Sequence, residues 1–124
     1  MYNEGTENRT FDIRQRSFQF GVKIVLFIRT FPKDTAGFAI GNQLIRSGTS
    51  VGANIEEGQN ASSRKDFIHC LTISLKEARE TEYWLKIIQE TKLIIHEDLV
   101  GLLQEINELI KILTTIIKKS KEKL

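Results

Sequence analysis

Apolar positions recur at the three- and four-residue spacing of helices in four stretches of the chain, with punctuation between them. The first stretch runs from about Phe11 to Thr30. Within it Phe18, Val22, Val25 and Arg29 share one face, and Phe20, Ile24, Phe27 and Ile28 share another. Two apolar faces exceed the single stripe that a surface helix needs, so this helix either sits centrally or buries its second face against a partner. Phe31-Pro32-Lys33-Asp34 then breaks it: Pro32 disfavours helix at Phe31, and Asp34 is a good cap for the next helix.

The second stretch, about Thr35 to Gln59, is crowded with small residues, among them Gly41, Ser47, Gly48, Gly52 and Ala53. Several glycines in one helix predict either a break near Gly48–Gly52 or a very close helix approach. Ile40, Leu44, Val51 and Ile55 keep an apolar seam through it, and Gly58 with Asn60 reads as its stop. The third stretch starts at Ser62 or Ser63, both capping residues with Asp66 in the first turn, and runs to about Glu90. Its seam is Phe67, Leu71, Ser74, Ala78, Leu85 and Ile88. The fourth, about Glu97 to Lys119, has the cleanest stripe, from Leu99 and Leu102 to Ile116 and Ile117.

Short links between long amphipathic helices make neighbours antiparallel. The expected fold is therefore all-α, an antiparallel up-down-up-down four-helix bundle over residues 11–120. A flexible segment at 1–10 and a basic tail at 121–124 are expected to flank it. A chain of 124 residues suits one domain and buries roughly two-thirds of its unfolded surface, enough for a core without staples. Cys70 is the only cysteine, which excludes an intrachain disulfide and fits a reducing compartment, here read as the cytoplasm. Met1 to Thr10 does not read as a signal peptide, and no apolar run approaches the roughly 20 residues of a membrane span.

The charge is nearly balanced, 18 basic against 16 acidic side chains. Its distribution is less even. Residues 1–33 carry Arg9, Arg14, Arg16, Lys23, Arg29 and Lys33 against Glu4, Glu7 and Asp12, and the C-terminal end carries Lys118, Lys119, Lys121 and Lys123 against Glu122. Copies in a multimer would sum these surpluses into a basic ring; as single helix ends they are solvated charge.

Catalytic and metal chemistry find little support. Gly48-Thr49-Ser50-Val51-Gly52 matches the G-x-S-x-G nucleophile elbow, but that device needs a strand before the serine, and the pattern here is helical. His69 and His96 lie further along the chain without a supporting context. A bundle di-iron site needs two Glu-x-x-His pairs and two further glutamates; the chain offers only Asp66-x-x-His69. No zinc pattern and no phosphate loop occurs, so no cofactor and no enzymatic activity are expected. A polar line does recur on the second helix: Arg46, Ser50, Asn54 and Glu57, with Glu77 and Glu80 of the third helix placed to meet it. An arginine held by two carboxylates fixes helix register or a subunit contact; alternatively the line borders a groove for a polar ligand.

The string Gln43-Leu44-Ile45-Arg46-Ser47-Gly48-Thr49-Ser50-Val51-Gly52-Ala53-Asn54-Ile55-Glu56-Glu57-Gly58 resembles the signature of the bacterial four-helix bundle family whose relatives are encoded by intervening sequences within 23S ribosomal RNA genes. Ser63-Arg64-Lys65-Asp66-Phe67-Ile68 and Leu75-Lys76-Glu77-Ala78-Arg79-Glu80-Thr81-Glu82-Tyr83-Trp84-Leu85 continue the match, which spans about Phe18 to Lys118. The resemblance implies a homopentamer of four-helix subunits. It also relates the chain to accessory proteins of diversity-generating retroelements, basic pentameric barrels that bind nucleic acid and a reverse transcriptase. This chain departs from them in its nearly neutral charge.

Two functions are expected on these grounds. One is a homo-oligomeric accessory that binds RNA or DNA, with Arg9, Arg14, Arg16, Lys118, Lys119 and Lys121 as phosphate contacts. The other is a scaffold or adaptor whose partner is a protein, docked on the second apolar face of the first helix.

Overall fold

The computed structural model describes the backbone of residues 7–124 and the side chains of residues 13–124. Four helices are arranged in order: α1 (Glu7–Ile28), α2 (Thr35–Gly58), α3 (Arg64–Thr91) and α4 (Asp98–Glu122). α1 thus begins inside the segment expected at 1–10, of which residues 1–6 lie outside the described residues. α4 likewise runs through Lys121 into the expected tail. The sequence explains both extensions. No glycine or proline lies between Gly5 and Phe20 or after Gly101, so nothing interrupts the backbone ladder.

Two helix starts are fixed by the expected side chains. Asp34 Oδ1 accepts the Gly37 N–H at 2.8 Å, and Ser63 Oγ accepts the Asp66 N–H at 3.0 Å. Ser63 is therefore the cap of α3; the Ser62 hydroxyl instead donates to Asp66 Oδ2 at 2.6 Å. α2 ends at Gly58, where expected, but without a left-handed turn. Gln59 closes α2 in a right-handed conformation, so Gly58 is not needed for a left-handed turn. A Cβ at Gly58 would lie 3.3 Å from Cys70 Cβ, which places that glycine in the packing of α2 on α3. Lys92, with φ 53°, ends α3 and turns the chain toward α4.

All neighbouring helices run antiparallel. Ser17 of α1 lies level with Gly52 of α2, and Ile28 with Gly41. Ser74 of α3 meets Val51 of α2, and Thr81 meets Ser47. Glu82 of α3 reaches Asn107 of α4, and Arg64 reaches Lys123. Arg16 of α1 reaches Glu105 and Glu108 of α4, which closes the square. Among the described residues the diagonal pairs α1–α3 and α2–α4 bring no Cα atoms within 8 Å of each other. This is the up-down-up-down bundle.

The core holds Phe20, Ile24 and Phe27 from α1, with Leu44, Val51 and Ile55 from α2. Phe67, Leu71, Ala78, Leu85 and Ile88 of α3 and Leu102, Ile106, Leu109, Leu113 and Ile116 of α4 complete it. No break occurs at Gly48–Gly52. A Cβ at Gly52 would sit 3.2 Å from the carbonyl carbon and oxygen of Ser17, and one at Gly48 would sit 3.0 Å from Ile24 Cγ2. The small residues therefore serve the close approach of α1, the second of the two expectations. Three hydroxyls are buried where α2 meets α3. Ser74 Oγ donates to the Val51 carbonyl at 2.7 Å, and Thr81 Oγ1 lies 3.0 Å from Ser47 Oγ. Each is hydrogen-bonded, so the small residues carry polar pairing through the core without an orphaned group.

Candidate interaction surfaces

The second apolar face of α1 finds no partner within the bundle. Phe18 is 66% exposed, and Val22, Val25 and Leu26 are also open to solvent. The cause is geometric: Phe20, Ile24 and Phe27 point at the core, and residues two positions away on a helix point elsewhere. Phe18, Val22 and Val25 line a groove of about 390 Å³ between α1 and α2, floored by Gly21, Gly52 and Ala53. Along α2 the exposed Phe38 and Ile45, seven residues apart, carry the apolar surface toward the other end of the bundle. Their spacing was available in the sequence; the small residues around them hid the pattern. Exposed apolar side chains grouped on one side of a bundle mark an interaction site more often than singly scattered ones do.

At the far end of this groove Arg14 donates to both carboxylate oxygens of Glu56, Nε at 3.2 Å and Nη2 at 2.7 Å. Arg16, on the other flank of α1, grips Glu105 with Nε at 3.0 Å and Nη2 at 2.6 Å, and reaches Glu108 at 3.1 Å. The hydrogen bonds from Glu105 and Glu108 outweigh the desolvation of Arg16 and raise its pKa above the ordinary guanidinium value. Both arginines, expected as phosphate contacts, are thus engaged within the chain. Their partners lie 42 and 89 residues away, so nothing local in the sequence announced them. Arg9 lies outside the residues with described side chains. Lys118, Lys119 and Lys121 are exposed near the C-terminal end of α4.

The polar line on α2 is only partly a network. Arg46 Nη1 donates to Glu77 Oε2 at 2.9 Å, and Arg46 Nη2 to Glu80 Oε2, which also accepts the Trp84 indole N–H at 3.1 Å. Arg46 therefore ties α2 to α3 within one chain. Ser50 Oγ donates back to the Arg46 carbonyl at 2.6 Å, and Asn54 Nδ2 donates to the Ser50 carbonyl at 2.8 Å. These two side chains bond to their own helix, and Ser50 sits mid-helix with no strand before it. The geometry of a nucleophile elbow is absent. Glu57 is exposed, one turn beyond Asn54 and on the Cys70 side. Cys70 is half-buried; desolvation first, then the charges of Glu57 and Asp66, push its thiol up and leave it a poor nucleophile.

Among the described residues no three of His, Cys, Asp and Glu gather into a metal-holding group. No described helix is long and apolar enough to cross a membrane. His96 supplies a local cap, its Nδ1 accepting the Asp98 N–H at 3.1 Å, while its ring packs edge-on against Phe27 with centroids 5.5 Å apart.

Known proteins share this architecture. The model of the 23S rRNA-intervening sequence protein family matches residues 9–115. The chain is 40% identical to a protein of unknown function from the S23 ribosomal protein family of Bacteroides thetaiotaomicron VPI-5482, whose crystal structure superposes with a TM-score of 0.82. That match covers 89% of this chain and 98% of the other. No curated protein matches the chain.

Proposed function

The chain belongs to the family of 23S rRNA-intervening sequence proteins, and we propose that it is a non-enzymatic, self-assembling accessory protein that binds nucleic acid in the cytoplasm. The observation that carries the reading is the apolar α1–α2 face. Phe18, Val22 and Val25 stand in solvent around a groove that the bundle does not use. Covering such a face removes apolar surface from water at about 25 cal/mol per Å². A further copy of the chain is the occupant that the family resemblance favours, with five copies as the expected number. The nucleic-acid half rests on the family description and on the exposed Lys118, Lys119 and Lys121. Arg14 and Arg16 serve to hold α1 to its neighbours and are not counted as phosphate contacts.

The same apolar face supports a second reading, a scaffold that docks another protein and binds no nucleic acid. One experiment separates the two: size exclusion with light scattering, with absorbance at two wavelengths recorded across the same peak. A mass of several chains that carries nucleic acid, released by salt, supports the proposal. A multimer free of nucleic acid at low salt favours the scaffold. A monomer contradicts the assembly outright.

A further inference from the structure

Besides Lys23, Arg29 and Lys33 on α1 and the turn that follows it, the bundle gathers cations that hold no carboxylate among the described residues on the side away from the apolar groove. We propose that the outward face of α3 and α4 is the surface on which a nucleic-acid strand lies. The inference rests on the proposed nucleic-acid binding and replaces the helix ends with a defined track.

Several cations are already engaged. Arg14, Arg16 and Arg46 each hold carboxylates within the chain. Lys65, Lys76 and Arg79 on α3, and Lys111, Lys118 and Lys121 on α4, are exposed and hold no carboxylate among the described residues. Helical spacing then gathers them. Lys65, Lys76 and Tyr83 are separated by 11 and seven residues, close to three turns and two turns, so they point the same way. Arg79 lies one turn from Lys76 and from Tyr83, tilted toward α4. On α4, Lys111 and Lys118 are seven apart, and Lys121 comes one turn later on the flank toward α3.

The two rows are adjacent. Glu82 on α3 meets Asn107 on α4, and Asn107 and Lys111 line the same α3–α4 groove of about 510 Å³. At the end of the rows Arg64 donates to the Lys123 carbonyl at 2.7 Å, which ties the start of α3 to the end of α4. The face carries carboxylates too. Glu82 is 3.8 Å from Lys86, and Glu108, which lines the groove beside Lys111, is bound by Arg16 at 3.1 Å; Glu90 and Glu122 stand at opposite ends. Between those ends Lys76, Arg79 and Lys111 hold no carboxylate among the described residues. From Lys65 to Lys86 the track is about 30 Å long at the helical rise, which suits a strand of several nucleotides.

Tyr83 supplies the second element. It is 57% exposed in the midst of the cations, and its ring is braced edge-on by Trp84 with centroids 5.0 Å apart. A braced, open aromatic among lysines is the arrangement on which an unpaired base stacks while its phosphates are neutralised. α1 and α2 lie on the opposite side of the square, so the track does not overlap the apolar groove.

The test is fluorescence anisotropy with a labelled single-stranded RNA of roughly 20 nucleotides, titrated between about 50 and 200 mM salt. The K76A/R79A double variant removes two phosphate contacts, so the slope of log affinity against log salt falls by about 1.4, at 0.7 per contact on a single strand. Tyr83→Ala weakens binding roughly five- to 140-fold at constant slope. A Lys23→Ala control, on α1, binds as wild type. Circular dichroism verifies that each variant remains helical. If wild type binds RNA while K76A/R79A keeps its affinity and slope, the α3–α4 track is wrong and the proposed function survives. If wild type itself does not bind at low salt, both fall.

Discussion

Replacing a helical glycine by alanine stabilises an unobstructed helix, and this bundle contains both an open and an obstructed case. Gly101 lies in α4 with nothing within 4 Å of where its Cβ would stand. Gly101→Ala therefore gains the propensity difference, about 0.5–1 kcal/mol. Gly52 offers the same gain in the middle of α2, but its Cβ would stand 3.2 Å from the carbonyl carbon and oxygen of Ser17 and 3.3 Å from Ser17 Oγ. Two of those atoms are backbone, so no rotamer change relieves them. α1 must move as a body by a few tenths of an ångström, and it carries Ile13, Phe20 and Ile24 of the core with it. Overpacking of this kind costs about 1–3 kcal/mol. Set against the propensity gain, Gly52→Ala is neutral to about 2.5 kcal/mol destabilising. Urea denaturation monitored by far-ultraviolet circular dichroism measures both, at one fixed protein concentration so that the proposed assembly would weigh equally on each. Gly101→Ala should raise the midpoint and Gly52→Ala should not. A Gly52→Ala midpoint as high as that of Gly101→Ala would refute the close α1–α2 approach.

The Arg46 contacts and the Cys70 thiol each allow a further check. Arg46→Ala leaves Glu77, whose side chain is only 13% exposed, without its cation and beside Glu80. Because Arg46 itself is half exposed, the loss is about 1 kcal/mol in the same denaturation experiment. Arg46→Lys restores less than half of it, since one ammonium does not fork between two carboxylates. Burial and the charges of Glu57 and Asp66 keep the Cys70 thiol protonated to higher pH than an ordinary thiol. At about pH 8 its alkylation by iodoacetamide is therefore slower than that of free cysteine, and Glu57→Gln speeds it; a rate equal to free cysteine would contradict the placement.

The helices were legible because their evidence is local. Apolar spacing located all four, Asp34 and Ser63 announced two starts, and the seam from Phe67 to Ile88 was readable at its i, i+3 and i+4 positions. The doubled apolar face of α1 was legible for the same reason, and the structure leaves Phe18, Val22 and Val25 in solvent. The features that escaped the sequence depend on neighbours distant along the chain. Arg14 and Arg16 looked like free cations until folding brought Glu56 and Glu105 to them. Ser50 and Asn54 looked like partners of Arg46, yet each bonds more readily to a carbonyl four residues back on its own helix. The glycines of α2 left break and close packing equally open, and only the position of Ser17 decides between them.

On the proposed reading the α1–α2 groove joins copies of this chain. Light scattering on wild type and on Phe18→Glu/Val22→Glu, side by side, tests it most directly. Both substituted residues are exposed in the single bundle, so the variant keeps its helical spectrum. The expected result is a multimer for wild type and a monomer for the variant, because two carboxylates buried in an apolar interface are not tolerated without partners. A variant that holds the same mass as wild type would contradict it.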